Sequence, residues 1–423
     1  MPFQIALSGL NAASTSLSTT ANNIANVNTT GFKGSRANFV ELFATGLQNV
    51  SENATGLGAR PSSIQQLFSQ GSLEFTDNNL DLSLVGGGFF TLQDAQGAIS
   101  YTRAGNFSVN REGFVVNDQG LRLQAFPTLG DTEGFNTGRV DDLRLETTDF
   151  PPNPTSTAEL GLNLPSDAEP PPAFDNTAPN NGFDPSVPDS YNQTTSITVF
   201  DSLGRSRTAS YFFVKNDDPS ERQWDVYLTV EGVVDANDDL EVFGPATLEF
   251  DEGGSLDPAL SDELFSFGPI DVDPAADLDL ESDFTSVTQF GSTFNVNNLQ
   301  QNGFASGRLA SIDITSEGIV FARFTNGQSD PLGQLAITNF TNPEGLENVS
   351  DTRWAETFES GEPLRGAAGT GNLGTVQSGA LEAANVDLAK ELVDMITAQR
   401  TFQANAQMIS TADQVTQTII NIR

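Results

Sequence analysis

The chain contains no cysteine and no histidine among its 423 residues. The first absence excludes disulfides, thiolate nucleophiles and thiolate metal sites, and it removes any cue to redox compartment. The second removes the commonest general base and metal ligand, and a serine nucleophile paired with a histidine base is impossible. Basic residues are scarce: 19 Lys and Arg stand against 56 Asp and Glu, a net charge of −37. Nucleic acids and anionic lipids are bound with Lys and Arg, so neither is expected as a partner. No apolar run is long enough to span a bilayer, so no membrane insertion is expected. The opening stretch MPFQIALSGLNAASTSLSTTANN lacks a basic n-region and a continuous apolar h-region. Export, if it occurs, is expected to use a route without a cleaved Sec-type signal.

Charge is also absent locally. Residues 1–32 contain no Asp, Glu, Lys or Arg. Residues 1–70 sum to +1 and residues 381–423 to −2, which leaves −36 in the middle of the chain. A solvated acidic surface explains the middle. Ends poor in charge suit close packing against identical copies, whose acidic bodies stay apart across salt with a Debye length of roughly 8 Å.

Apolar residues recur at both ends with a seven-residue period. Phe3, Leu10, Leu17 and Ile24 do so near the N-terminus, with Leu7 and Ala21 between them. Leu388, Met395, Phe402 and Ile409 do so near the C-terminus, interleaved with Leu392, Ala406 and Ile420. Such a stripe marks one face of a helix that another helix must cover. The spacing predicts helices over 3–28 and 384–422, roughly 39 and 58 Å long at about 1.5 Å per residue. The first is rich in Ser, Thr and Asn, which form helix poorly, so it is expected to be disordered in an isolated subunit and to fold on assembly. Gln399 and Asp413 interrupt the second stripe, as register-setting polar residues do.

Between the ends the period changes to two. Residues 29–70 read as an extended connecting segment broken by glycines, with a short helix expected near Phe39–Phe43. LDLSLVGGGFFTLQD (80–94) reads as two strands around a glycine corner, and REG (111–113), NDQG (117–120), SEG (316–318) and TNGQ (325–328) are turn signals of antiparallel meanders. Residues 148–191 read as a Pro-rich connection and 251–284 as acidic loops. Trp224, Val226, Leu228 and Val230 alternate with Asp225, Tyr227 and Thr229 as a half-buried strand does. The fold class is therefore mainly β with terminal α-helices. Residues 1–28 and 384–423 form a paired, coiled-coil-like helical domain; 71–147 with 287–375 form an inner β domain; 148–286 is an inserted outer β domain.

Other motifs carry less. Gly369, Gly371 and Gly374 spell GxGxxG, but a dinucleotide site needs a strand before it and a βαβ unit around it. Asp235, Asn237 and Asp239 resemble the start of a calcium loop, yet Leu240 stands at the obligatory glycine position. Paired carboxylates could serve a glycosidase, but no pair stands out among 56 acids. No catalytic residue, cofactor or metal ion is expected.

Several stretches together resemble the bacterial flagellar rod–hook–axial family. ANNIANVNTTGFKGSR (21–36) is similar to its entry motif, through Asn22, Asn23, Asn26, Gly31, Phe32 and Lys33. LDLSLVGGGFFTLQD and YTRAGNFSVNREGFVVNDQGLRLQAFP (101–127) resemble its shared β core. TTSITVFDSLGRSRTASYFFVKN (194–216) with QWDVYLTV (223–230) resembles the domain inserted in hook subunits, and 291–340 resembles the return half of the core. QSGALEAANVDLAKELVDMITAQRTFQANAQMISTADQVTQTIINIR (377–423) resembles the C-terminal helix. The resemblance implies an extracellular structural subunit, exported unfolded through the flagellar type III pathway. It implies a homopolymer, a curved hollow tube acting as a universal joint. Expected partners are the rod, the hook cap, the hook–filament junction proteins and the hook-length-control protein. The alternative within the family is a distal rod or filament-junction subunit.

Overall fold

A computed structural model describes residues 2–42, 56–130, 132–145, 148–175, 179–217, 222–234 and 239–421. Two long helices stand at the ends: α1 (Pro2–Ala25) and α2 (Leu388–Asn421). Everything between is β-rich. The chain divides into two compact units, one of Met1–Thr147, Ala310–Arg323 and Ser329–Arg423, the other of Thr148–Leu309 and Phe324–Gln328.

Local chemistry sets the helix ends. Asn26 donates from Nδ2 to the Asn22 carbonyl and accepts from Thr29 Oγ1, closing a turn at the end of α1. At α2 the Asp387 carboxylate accepts from the Ala389 and Lys390 N–H groups, an N-cap that starts the helix four residues later than the apolar spacing suggests. Where a short helix is expected near Phe39–Phe43, the described part is strand: β1 (Ser35–Glu41) pairs antiparallel with β2 (Ala59–Gln66) as a two-stranded ribbon. Phe43 lies outside the described residues.

In the first unit, β3 (Leu73–Phe75), β4 (Leu82–Val85), β5 (Phe89–Gln93) and β6 (Ile99–Thr102) follow the ribbon. β4 and β5 turn about Gly86 and Gly88, both at positive φ (111° and 117°), as the glycine corner requires. β5 and β6 belong to a large sheet with Arg122–Phe126, Ser329–Asn339 and Ile319–Phe324. Its core gathers Leu84, Phe90, Leu92, Leu123, Val320, Leu335 and Ile337. A second cluster sets Phe89, Tyr101, Phe340 and Trp354 edge to face.

The second unit is built from two sheets. One is the meander Gln193–Phe200, Ser206–Lys215, Gln223–Val234 and Leu240–Glu249. The other joins Leu264–Ile270, Leu278–Asp283, Thr157–Pro165, Thr288–Phe290 and Asn295–Gln301. A shared core runs from Leu160, Leu162 and Leu164 to Trp224, Val226, Leu228, Leu278 and Leu280.

Three expectations change here. The segment 287–309 joins the second unit rather than the inner module, because Thr288–Phe290 and Asn295–Gln301 pair with Thr157–Pro165. The acidic stretch 251–284 holds two strands: in Leu278–Asp283 the buried Leu278, Leu280 and Ser282 alternate with exposed acids. The strand over 224–230 is buried on both faces, not half-buried. Phe183, from the stretch read as a connection, stacks on Tyr227 at 4.6 Å and 9° and lies against Phe212. That connection also holds the core strand Thr157–Pro165, so it has little slack to give.

Candidate assembly site at the joined termini

Two short ladders bring the ends of the chain together. Outgoing β3 pairs antiparallel with Ala380–Glu382, and outgoing β4 with Thr375–Ser378. The arms that lead to α1 and α2 thus run side by side.

Where they meet, one carboxylate ties four segments. Glu382 Oε1 accepts from Lys33 Nζ at 2.6 Å and from the Gly71 N–H at 2.9 Å. Its Oε2 faces Arg103 Nη1 at 3.3 Å, and its backbone carbonyl accepts from the Gly31 N–H. Lys33 Nζ also donates to the Ser69 carbonyl, and Arg103 Nη2 to that of Gly86. Lys33 and Glu382 are fully buried and Arg103 nearly so. Burial pushes the Lys33 ammonium below its ordinary value, against the opposing pull of Glu382, and acts likewise on Arg103.

The family-motif residues fall around this knot. Gly31 sits at φ 68° with its α-carbon against the Arg103–Ala104 backbone. Asn23 is buried; its amide donates to the Ser35 carbonyl and to Glu391 Oε1 and accepts from the Ser35 N–H. Asn26 closes the turn already described. Phe32 is half-buried and Asn22 exposed. Asn385, absent from the sequence reading, accepts from the Gly34 N–H and donates to the Leu67 carbonyl.

Beyond the knot α1 lies against α2. The buried face of α1 is small and polar: Ala6, Ala13, Thr19, Thr20 and Asn23. Gly9 approaches Asn405 so closely that a β-carbon would meet its amide at 2.7 Å. On α2 only Ala398 is buried among the described residues. A groove of about 440 Å³ runs between the helices and β1, lined by Ala12, Ser16, Phe39, Asp394 and Thr401 among others.

Of the heptad residues, Leu10, Leu17 and Ile24 on α1 and Met395 and Phe402 on α2 are half-buried, three or four positions from the buried Ala6, Ala13, Thr20 and Ala398 and so on the same faces; Ile409, one heptad beyond Phe402, is half-buried too. Phe3 (52 % exposed), Leu7, Leu388 and Leu392 face solvent, as do Val393 (62 %) and Ile396. Leu388, Leu392 and Ile396 are spaced by four and make one stripe. The side chain of Ile420 lies outside the described residues. Sequence reading missed Val393, Ile396, Arg103 and Glu382. Lys33 is the first charged residue of the chain, and a lone cation in such a stretch is the signal that could have pointed to a buried partner.

Elsewhere, Gly369 and Gly371 lie at positive φ in the turn between Leu364–Ala367 and Thr375–Ser378. No described helix is long and apolar enough to cross a membrane.

Four family descriptions match along the chain. They are the flagella basal body rod protein (3–33), the flagellar hook protein FlgE/F/G D1 domain (83–169), the flagellar basal body protein FlaE D2 domain (163–304) and the flagellar basal body rod FlgEFG protein C-terminal region (377–422). The first and last cover the helices and the middle two the β units, which defines a structural protein of the flagellar rod and hook class. The flagellar hook protein FlgE of Escherichia coli K12 is 39% identical over 426 residues, covering 100% of both chains. That of Salmonella typhimurium is 37% identical with the same coverage, and that of Borreliella burgdorferi 30% identical over 99% of this chain and 98% of its own. The chain belongs to the flagellar hook protein family and is a structural subunit of the hook. These matches run through the second unit and do not favour the distal-rod or junction alternative. In fold, the chain resembles the crystal structure of Helicobacter pylori flagellar hook protein FlgE2, with TM-score 0.54 and 13% identity over 73% of this chain and 100% of that one.

Proposed function

We propose that copies of this chain polymerise through their terminal helices into a curved, hollow tube outside the cell. The tube acts as a universal joint that passes torque from the rod to the filament. The observation that carries this reading is the apolar stripe Leu388, Leu392 and Ile396, with Phe3 and Leu7, left exposed although α1 already lies against α2. Covering the part of each side chain still exposed is worth about half the 1.5–3 kcal/mol of full burial, and neighbouring copies of the same helices are suited to do it. Packed interiors transmit strain, so a layer of helices joined this way would resist shear and carry torque. The ribbon β1–β2 and its flanking glycines are the segment we assign to accommodating length change as the joint turns.

The subunit works by assembly and not by catalysis. Its partners are its own copies, then the rod, the hook cap, the hook–filament junction proteins and the length-control protein, and it leaves the cell without a cleaved signal. Deleting residues 2–25 tests the reading. The β units should still fold and salt-induced tubes should vanish; tubes from the truncated chain would refute it.

A further inference from the structure

The knot beneath the helices is out of charge balance. Two buried cations, Lys33 and Arg103, share one buried carboxylate, Glu382, and no other carboxylate lies within 4 Å of either cation among the described residues. Even a balanced buried ion pair repays its desolvation poorly, and a surplus charge costs more. The chain carries 56 acids, yet none is set here to neutralise the second cation. Lys33 therefore calls for an explanation other than stability.

Its surroundings supply one. The ladders that hold the arms together are short, three residue pairs for β3 and four for β4. Buried Leu82, Leu84 and Val376 fix the register of the β4 ladder, but β3, with Glu74 and Phe75 exposed, has no buried face to do so, and a slip of one residue there turns every side chain to the opposite face. Lys33 Nζ bonds the Ser69 carbonyl just before β3 and Glu382 at the end of the partner strand, so it touches both arms at once. A slipped pairing would leave Glu382 facing backbone and the ammonium buried alone. Arg103 differs: its second bond goes to Gly86 in the β4–β5 corner, at the end of the outgoing arm remote in sequence from α1.

We propose that Lys33 is a specificity-determining residue for hook assembly. It fixes the register of the two arms, and through them the relative placement of α1 and α2, at a cost to the stability of the isolated subunit. The inference rests on polymerisation through these helices.

The test compares full-length wild type, Lys33→Met, Arg103→Met and Glu382→Gln. Thermal unfolding, hydrogen exchange at 69–75 and 380–382, and the yield of salt-induced tubes are measured for each. The two methionine variants carry the same charge at the knot, but only Lys33→Met removes a side-chain bond that reaches both arms, leaving those of Gly71 to Glu382 and Asn385 to Leu67 in place. Lys33→Met should melt no lower than wild type, exchange faster at both arms and lose tube yield at least tenfold. Arg103→Met should still form tubes. Glu382→Gln, which leaves two cations unpaired, should melt lowest. The inference is overturned if Lys33→Met forms tubes at the wild-type yield, if both methionine variants lose assembly alike, or if Lys33→Met melts as low as Glu382→Gln. Wild type that never assembles would overturn the polymer reading and this inference together.

Discussion

Asn23 on the first helix donates a hydrogen bond of 3.1 Å to Glu391 on the last, 368 residues away in sequence. The same amide donates to and accepts from Ser35 at the start of the ribbon. One side chain thus ties α1, α2 and β1 together.

Replacing Asn23 with Ala removes three hydrogen bonds and leaves the Ser35 N–H and C=O without it. Losing a buried partner costs about 1–3 kcal/mol per orphaned group. Hydrogen exchange should rise over α1 and 35–41, while the melting of the second unit stays unchanged.

Gly9 sets how closely the helices approach. A β-carbon there would press on the Asn405 amide. Gly9→Ala should be tolerated if that amide swings away, whereas Gly9→Leu should part the helices. Cysteines placed at Ala13 and Ala398 report the separation in a chain that has no other thiol. Their disulfide yield should hold in Gly9→Ala and fall sharply in Gly9→Leu.

The exposed stripe predicts a separation of stability from assembly. Leu392→Asp and Ile396→Asp alter side chains that the isolated subunit leaves in water. Each should shift monomer melting by less than about 0.5 kcal/mol in stability, the usual range for surface changes. Each should abolish or strongly reduce tube formation, scored by sedimentation.

Alkaline titration reports the β cores. Burial raises the Tyr101 hydroxyl to about 12, with Glu356 adding to the shift and Arg365 opposing it. Burial also raises Tyr211, which bonds Ser282. A phenol held protonated in the folded state stabilises it fully below the unfolded value near 10, and that contribution is lost as pH rises through the folded value. From pH 10 to 12 the tyrosinate absorbance should therefore stay below that of the unfolded chain, and the remainder should appear only with unfolding.

Much of this architecture is legible in the residues. The terminal helices announce themselves by period, and the β5 corner by three glycines between apolar runs. What stays hidden depends on partners distant in sequence. Tyr227 looks like an outward residue of a half-buried strand until Phe183 covers it. The strand at 278–283 is masked by its own exposed acids, since alternation among Asp and Glu reads as a loop. At the site, heptad spacing marks the face on which half-buried Leu10, Leu17 and Ile24 alternate with buried Ala6, Ala13 and Thr20, but not the exposed Val393 and Ile396 of α2. α1 buries Ala13 and Thr20 and leaves Phe3 and Leu7 exposed. Glu382 has no local signature at all, because its role depends on Lys33, 349 residues away.

The account depends on neighbouring copies covering the solvent-facing sides of α1 and α2. Electron cryomicroscopy of tubes assembled from the purified chain measures this directly. It should show Phe3, Leu7, Leu388, Leu392, Val393 and Ile396 buried against helices of adjacent subunits in a continuous inner layer. Tubes in which those side chains remain in solvent, with subunits joined through their β units alone, would contradict it.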